Sequence, residues 1–138
     1  MRDIAYIALG SNLGDRQSHL DRARSALARL PESRLLALSS VEETEPLGPV
    51  PQPPYLNQMA ALETALSPRT LLAALHEIER SAGRVRGERW GPRTLDLDIV
   101  CFAEQKVNEP GLVVPHPELP NRDFWRRELL ELRAGGSE

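Results

Sequence analysis

Apolar residues recur along the chain in two rhythms, one of strands and one of helices. Ile4 to Leu9 is a short apolar run closed by Gly10-Ser11-Asn12-Leu13-Gly14-Asp15, which predicts a buried strand entering a turn. From about Arg16 to Leu30 the spacing becomes helical, with Leu20, Ala23, Leu27 and Leu30 on one stripe and Pro31 ending it. Arg34 to Thr44 reads as a second strand, apolar at Leu36, Leu38 and Val41, with a register change near Ser39-Ser40. Tyr55 to Leu66 reads as a third, apolar on the face of Leu56, Ala60 and Leu62, with Met59 joining through a bulge. Ser67-Pro68 combines a cap with a first-turn proline and starts a second helix, whose stripe of Leu71, Leu75, Ile78 and Ala82 runs to Gly83. Leu95 to Phe102 alternates again, with Leu95, Leu97, Ile99 and Cys101 on one side and Asp96, Asp98, Val100 and Phe102 on the other. Leu112-Val113-Val114 predicts a short strand closed by Pro115-His116-Pro117. Arg122 to Arg133 predicts a last helix with Phe124, Leu129 and Leu132 inward. The order strand, helix, strand, strand, helix, strand predicts a two-layer α+β domain with an antiparallel sheet. One domain over residues 1–133 is expected, with a disordered tail over 134–138.

Two stretches resist either rhythm. Glu45 to Pro54 holds five prolines, which exclude it from a sheet and stiffen it; it reads as a ligand lid, a plain connector or a proline tract for a partner. Arg84 to Arg93 carries Arg84, Arg86, Arg89 and Arg93 with Trp90 on a segment punctuated by Gly83, Gly87, Gly91 and Pro92. It leads directly into the strand of Asp96 and Asp98. Residues two apart on one strand face are roughly 6.5 to 7 Å apart, so these carboxylates can converge on one metal ion or on two adjacent ones. With no cysteine or histidine pair at ligand spacing, the ion that suits them is hard, namely Mg²⁺ completed by water and substrate phosphates. Arginine forks bind phosphate oxygens in pairs, so the four arginines suit the same polyphosphate. Taken singly, an Asp-x-Asp strand is also a solvated sheet face and an arginine-rich loop a wet surface segment.

Composition narrows the field. The chain has 138 residues and a formal charge of -3, from 17 basic and 20 acidic residues, and aromatic residues make up 4% of it. A general nucleic-acid binder needs a basic field and stacking rings, and neither is present. Cys101 is the lone cysteine and predicts a packed core thiol. The run from Met1 has no apolar stretch of signal or membrane length, so the expectation is a soluble, cytoplasmic monomer without a membrane partner. His19 reads as a surface or packing residue, His76 as exposed and structural or idle, and His116, held between two prolines, as a phosphate contact or a surface turn.

Trp90-Gly91-Pro92-Arg93-Thr94-Leu95-Asp96-Leu97-Asp98-Ile99-Val100 resembles the signature of the 6-hydroxymethyl-7,8-dihydropterin pyrophosphokinases of folate biosynthesis. The resemblance extends, in the family's order, through Tyr6 to Leu13, Thr44 to Pro49, Tyr55-Leu56-Asn57, Gly83-Arg84-Val85-Arg86, Val114 to Pro117 and Asn121 to Phe124. It implies a ferredoxin-like fold with extra carboxyl-terminal elements. It also implies transfer of the terminal two phosphates of ATP to the hydroxymethyl group of a reduced pterin, with release of AMP. By that resemblance Asp96 and Asp98 hold two Mg²⁺ ions, and Arg84 and Arg93 grip the transferred phosphates. Glu79, Trp90, Ile99, His116 and Arg122 line the nucleotide, with Arg86 beside them. Tyr55 and Phe124 stack on the pterin, Asn57 reads its amide edge, and Thr44, Pro46 and Leu47 supply a backbone edge. Closure of the proline and arginine loops would exclude water.

This sequence departs from the family's pattern in three places. The loop between Arg86 and Trp90 is one residue shorter than in some relatives. Gly111 and Val113 stand where relatives can carry an arginine and a threonine. After Phe124, Trp125-Arg126-Arg127-Glu128 replaces an apolar, proline-containing continuation, and the chain ends early. Two rival readings remain at this stage: a non-catalytic ferredoxin-like binding module, and a related transferase with another acceptor.

Overall fold

The computed structural model describes residues 2–45, 51–82 and 95–136. Its elements run β1 (Asp3–Ser11), α1 (Arg16–Ala28), β2 (Ser33–Leu38), β3 (Glu42–Thr44), β4 (Tyr55–Thr64), α2 (Pro68–Ser81), β5 (Asp96–Phe102), β6 (Val107–Glu109), β7 (Leu112–Val114), a 3₁₀ turn (Leu119–Asn121) and α3 (Asp123–Gly136). The main sheet has the order β2-β4-β1-β5 with β3 also beside β4, and every pairing in it is antiparallel. This is the ferredoxin-like arrangement implied by the sequence. β1 and β4 sit in the middle because they are the strands buried on both faces.

The two faces of the sheet have different covers. Ala5, Ile7 and Leu9 of β1 and Leu56, Ala60 and Leu62 of β4 meet Leu20, Ala23 and Leu27 of α1 and Leu71 and Leu75 of α2. Tyr6, Ala8, Met59, Ala61, Val100 and Cys101 face the other way and meet Trp125, Leu129 and Leu132 of α3. Helix ends follow local chemistry. Asp15 caps α1 by accepting from Ser18 N at 3.1 Å, and Ser67 caps α2 by accepting from Thr70 N at 3.2 Å with Pro68 behind it.

Three side-chain directions differ from the periodicity, each for an identifiable reason. The strand expected over 34–44 breaks at the Ser39–Ser40 shift into β2 and β3. A further bulge between Leu35 and Ala37 leaves Leu36, Leu38 and Val41 exposed and turns Leu35 and Ala37 inward. Met59 is fully buried without a bulge, because α3 gives β4 a second apolar face. In β5 the register shift opposite Tyr6/Ile7 lets Ile99 pair with Ile7 and Cys101 with Tyr6, so beyond Val100 the alternation inverts. Cys101 therefore packs under α3 while Phe102 enters the α1/α2 core. The last helix extends to Gly136, three residues beyond Arg133 and into the stretch expected to be disordered.

Candidate active site

The aspartate pair survives the β5 bulge because it lies ahead of it. Asp98 is opposite Ala8 and Asp96 opposite Gly10, while Ala8 and Gly10 pair on their other side with Met59 and Asn57. Opposed residues share a face, so both carboxylates lie on the α3 side of the sheet. Asn57 in turn is opposite Glu42, and Thr44 is opposite Tyr55. One row across the sheet thus reads Glu42, Asn57, Gly10, Asp96. The gap between Asn57 and Asp96 spans two strand spacings, roughly 10 Å, with only a glycine between them. A Cβ at Gly10 would come to 3.4 Å from both Asn57 Oδ1 and the Tyr55 ring, so any longer side chain there would fill this trough. Asn57 is buried at 7% exposure and donates from Nδ2 to Thr44 Oγ1 at 2.5 Å, which turns Oδ1 toward the space over Gly10.

At the β5 edge a cavity of about 340 Å³ is lined by Glu79, Asp96, Asp98, Ile99 and His116, together with His76, Gly111 and Val113. Among the described residues β5 has no sheet neighbour on this side, and its edge groups are met by side chains and loop backbone. Glu79, 4% exposed on α2, accepts from Leu97 N at 2.7 Å, between the two aspartates. His116 N donates to Val100 O at 2.9 Å. The His116 ring is placed by its nitrogens: Nδ1 accepts from Glu118 N at 3.0 Å, which leaves the ring proton on Nε2, 3.7 Å from Asp98 Oδ1. Gly111 has φ +76 in the Pro110-Gly111 turn between β6 and β7, a conformation L side chains rarely adopt. Gly111 thus suits the turn it occupies. His76, read from the sequence as exposed, is half-buried on the cavity wall.

Arg122 and Phe124 enter from the start of α3. Phe124 is half-buried against the α3-side core, its ring centroid 6.3 Å from that of Trp125. Arg122 joins His116 through the same indole, as its guanidinium carbon lies 4.4 Å from the Trp125 ring centroid. Arg84, Arg86, Trp90 and Arg93, and Pro46 and Leu47, lie outside the described residues. Among the described residues no three histidine, cysteine or acidic side chains gather as a metal cluster. The donor set is the two carboxylates, which suits a hard ion that takes its remaining ligands from water and phosphate.

Several participants had no separate signal in the sequence. Asn12, 1% exposed, donates to Gln52 Oε1 at 2.7 Å and Pro53 O at 2.9 Å, and Arg16 donates to Pro54 O and to Glu43 Oε2, both at 2.9 Å. Together they tie the end of the proline segment to the turn after β1 and so set the approach to Tyr55. Trp125 was visible only as a departure from the family's pattern. Glu128 lies on α3 at 1% exposure, with its carboxyl against that of Glu42. Burial, and then the facing Glu42, push it up to about 9, so it is protonated at neutral pH. Burial likewise raises the Cys101 thiol, against a smaller opposing effect of Arg133, as befits an inert core cysteine.

Comparison with known proteins agrees with this geometry. Residues 6–134 match the family model described as 7,8-dihydro-6-hydroxymethylpterin-pyrophosphokinase. A 2-amino-4-hydroxy-6-hydroxymethyldihydropteridine pyrophosphokinase of Pseudomonas aeruginosa is 50% identical over 127 residues, covering 92% of this chain and 78% of that protein. Proteins of the same name from Haemophilus influenzae and Bacillus subtilis are 44% and 42% identical, covering 94% and 96% of this chain and 81% and 79% of theirs. A family match over nearly the whole chain, with the aspartate strand, the Asn57 row and His116 disposed around one trough and cavity, means that this chain belongs to the 7,8-dihydro-6-hydroxymethylpterin-pyrophosphokinase family.

Proposed function

We propose that this chain transfers pyrophosphate from ATP to the hydroxymethyl group of 6-hydroxymethyl-7,8-dihydropterin and releases AMP, a step of folate biosynthesis. The observation that carries the reading is the single sheet face on which Asp96 and Asp98 stand across Gly10 from Asn57 and Tyr55, beside the His116 cavity. Acceptor and donor then occupy adjoining spaces with the carboxylates between them.

The trough over Gly10 suits a flat heterocycle. Asn57 Oδ1 accepts from an N–H on the pterin edge, Thr44 holds that amide in place, and the Tyr55 and Phe124 rings supply apolar faces. Pro46 and Leu47 add backbone contacts to the same edge. On the nucleotide side Ile99 gives an apolar wall, and Glu79 fixes the β5 edge by holding Leu97 N. His116 presents Nε2–H to a phosphate oxygen, and Arg122, Arg84, Arg86, Arg93 and Trp90 complete the nucleotide set. Asp96 and Asp98 would hold Mg²⁺, two ions in the full reading, which supply positive charge against the polyphosphate when bound. Either carboxylate is placed to accept the proton that the hydroxymethyl group loses on attack at the β phosphorus. Catalysis of this kind rests on alignment and counter-charge rather than on a covalent intermediate.

The same reading has residues 1–133 acting as one catalytic unit, a monomer of the cytoplasm. The family match, the small acidic excess and the lone buried cysteine support it, and no helix among the described residues is long and apolar enough to cross a membrane. Incubation with Mg²⁺, ATP and 6-hydroxymethyl-7,8-dihydropterin is expected to yield AMP and the pterin diphosphate in equal amounts. ADP as the nucleotide product, or AMP formed equally well without the pterin, would overturn the proposal.

A further inference from the structure

We propose that Trp125 is a positioning residue for the nucleotide half of the site, acting through Arg122 and His116. The inference rests on the reading that these two residues contact ATP.

Trp125 is 2% exposed, and its backbone N–H donates to Arg122 O at 3.1 Å in the first turn of α3. Two side chains of the nucleotide set converge on its indole. The Arg122 guanidinium lies 4.4 Å from the ring centroid, and the His116 ring stands edge-to-face, centroids 4.9 Å apart and planes at 87°. These residues come from different segments: His116 follows β7, and Arg122 joins the 3₁₀ turn to α3. Packing on one rigid, buried ring holds them in a single arrangement.

The chemistry of the contact matters as much as its position. Attraction between a cation and a ring face uses the charge of a guanidinium without consuming any of its N–H donors. Arg122 Nε is buried and has no hydrogen-bond partner among the described residues, so it is an open donor in a place where water does not satisfy it. An arginine side chain otherwise loses considerable rotamer freedom on gripping a phosphate, and one already seated on an indole loses less. His116 gains in the same way: Glu118 N and Val100 O fix its nitrogen and backbone, and Trp125 fixes the plane of its ring.

The test is equilibrium binding of a non-hydrolysable ATP analogue with Mg²⁺, and of 6-hydroxymethylpterin, to wild type and to Trp125→Phe, Trp125→Leu, Arg122→Ala, His116→Ala and Leu129→Ala. Leu129→Ala opens the same α3-side core without touching Arg122 or His116 and reports what loosening alone does. The expected result is nucleotide Kd raised about 10-fold in Trp125→Leu and about 3-fold in Trp125→Phe, in each case clearly more than pterin Kd, which registers only the Phe124–Trp125 contact, with Leu129→Ala near wild type for both. If Arg122→Ala and His116→Ala weaken the nucleotide but Trp125→Leu and Trp125→Phe do not, the proposal is wrong and the half-site reading stands. Equal nucleotide loss in Leu129→Ala would reduce Trp125 to a packing residue and overturn the proposal. If neither Arg122→Ala nor His116→Ala weakens the nucleotide, the half-site reading fails and the proposal falls with it. Should Trp125→Leu not fold, the Trp125→Phe and Leu129→Ala pair still decides the matter.

Discussion

The two faces of the sheet are built from the same strands but treat polar atoms in opposite ways. On the α1/α2 face the buried polar side chains are satisfied within the chain. Gln58 accepts from Arg24 Nη1 at 2.7 Å and donates to Ser39 O at 2.6 Å, and Thr64 shares a 2.7 Å hydrogen bond with Ser33. On the α3 face Glu128 and Glu42 bring two carboxyls together in the interior, and Arg122 Nε is buried without a hydrogen-bond partner among the described residues. The orphan beside α1, His19 Nδ1, sits at the loop end of that helix rather than under the sheet. Unmade hydrogen bonds are costly, so a face that tolerates them is organised for something other than stability alone. The contrast separates a face that holds the fold from the face on which the proposed site stands.

The strongest way to break this contrast is to exchange the symptoms of its two sides. Asp96→Ala on the ligand face is expected to lower kcat by about 10³-fold or more, equivalent to about 4 kcal/mol of transition-state stabilisation, with the thermal midpoint nearly unchanged. Steady-state AMP release and a melting curve on one sample give both numbers. Near-normal turnover would remove Asp96 from the chemistry. Leu75→Ala on the α1/α2 face should do the reverse. Leu75 is fully buried in the larger core, and its truncation is expected to cost about 2–5 kcal/mol of unfolding free energy by urea titration. Turnover below its unfolding transition should stay within about 2-fold of wild type, and a large loss of kcat in that folded variant would mean that the faces are not separable.

The same contrast explains what the sequence disclosed. Element order, the cap of α2 and the α1/α2 stripes were legible because Ser67-Pro68 and the leucine spacing are local signals. The aspartates were legible for the same reason, since two residues of one strand ahead of any bulge keep their faces. Cys101 and Phe102 were misplaced because one extra residue in β5 inverts the alternation, and nothing local marks Val100 as that residue. Leu36 and Leu38 were misplaced by a bulge in an edge strand. The α3 face was the least legible: Met59, Trp125 and Glu128 acquire their roles only when a helix some 60 to 70 residues beyond β4 folds back over the sheet. The Asn12 and Arg16 ties to Gln52, Pro53 and Pro54 span about 40 residues and follow no periodicity.

Glu128 offers the finer test, because it is a buried titratable group on the α3 face, remote from the aspartates in sequence. Three charged groups bear on it besides burial. Burial and Glu42 raise it, Glu131 raises it further, and Arg127, which donates from Nε to Glu42 Oε1 at 3.1 Å, opposes them. Its value rises from 4.5 unfolded to about 9 folded, so between those limits the folded chain binds a proton that the unfolded chain has lost. Stability therefore falls as pH rises through that window, is fully retained below 4.5, and levels off above about 9. Glu128→Gln keeps the shape and removes the titration. It is expected to match wild type at pH 4.5 and to exceed it by a few kcal/mol near pH 8.5, with the gap widening steadily between. Urea unfolding at four pH values measures this directly, and a constant difference at every pH would show that Glu128 is ionised in the folded chain and that α3 does not bury a neutral acid against the sheet.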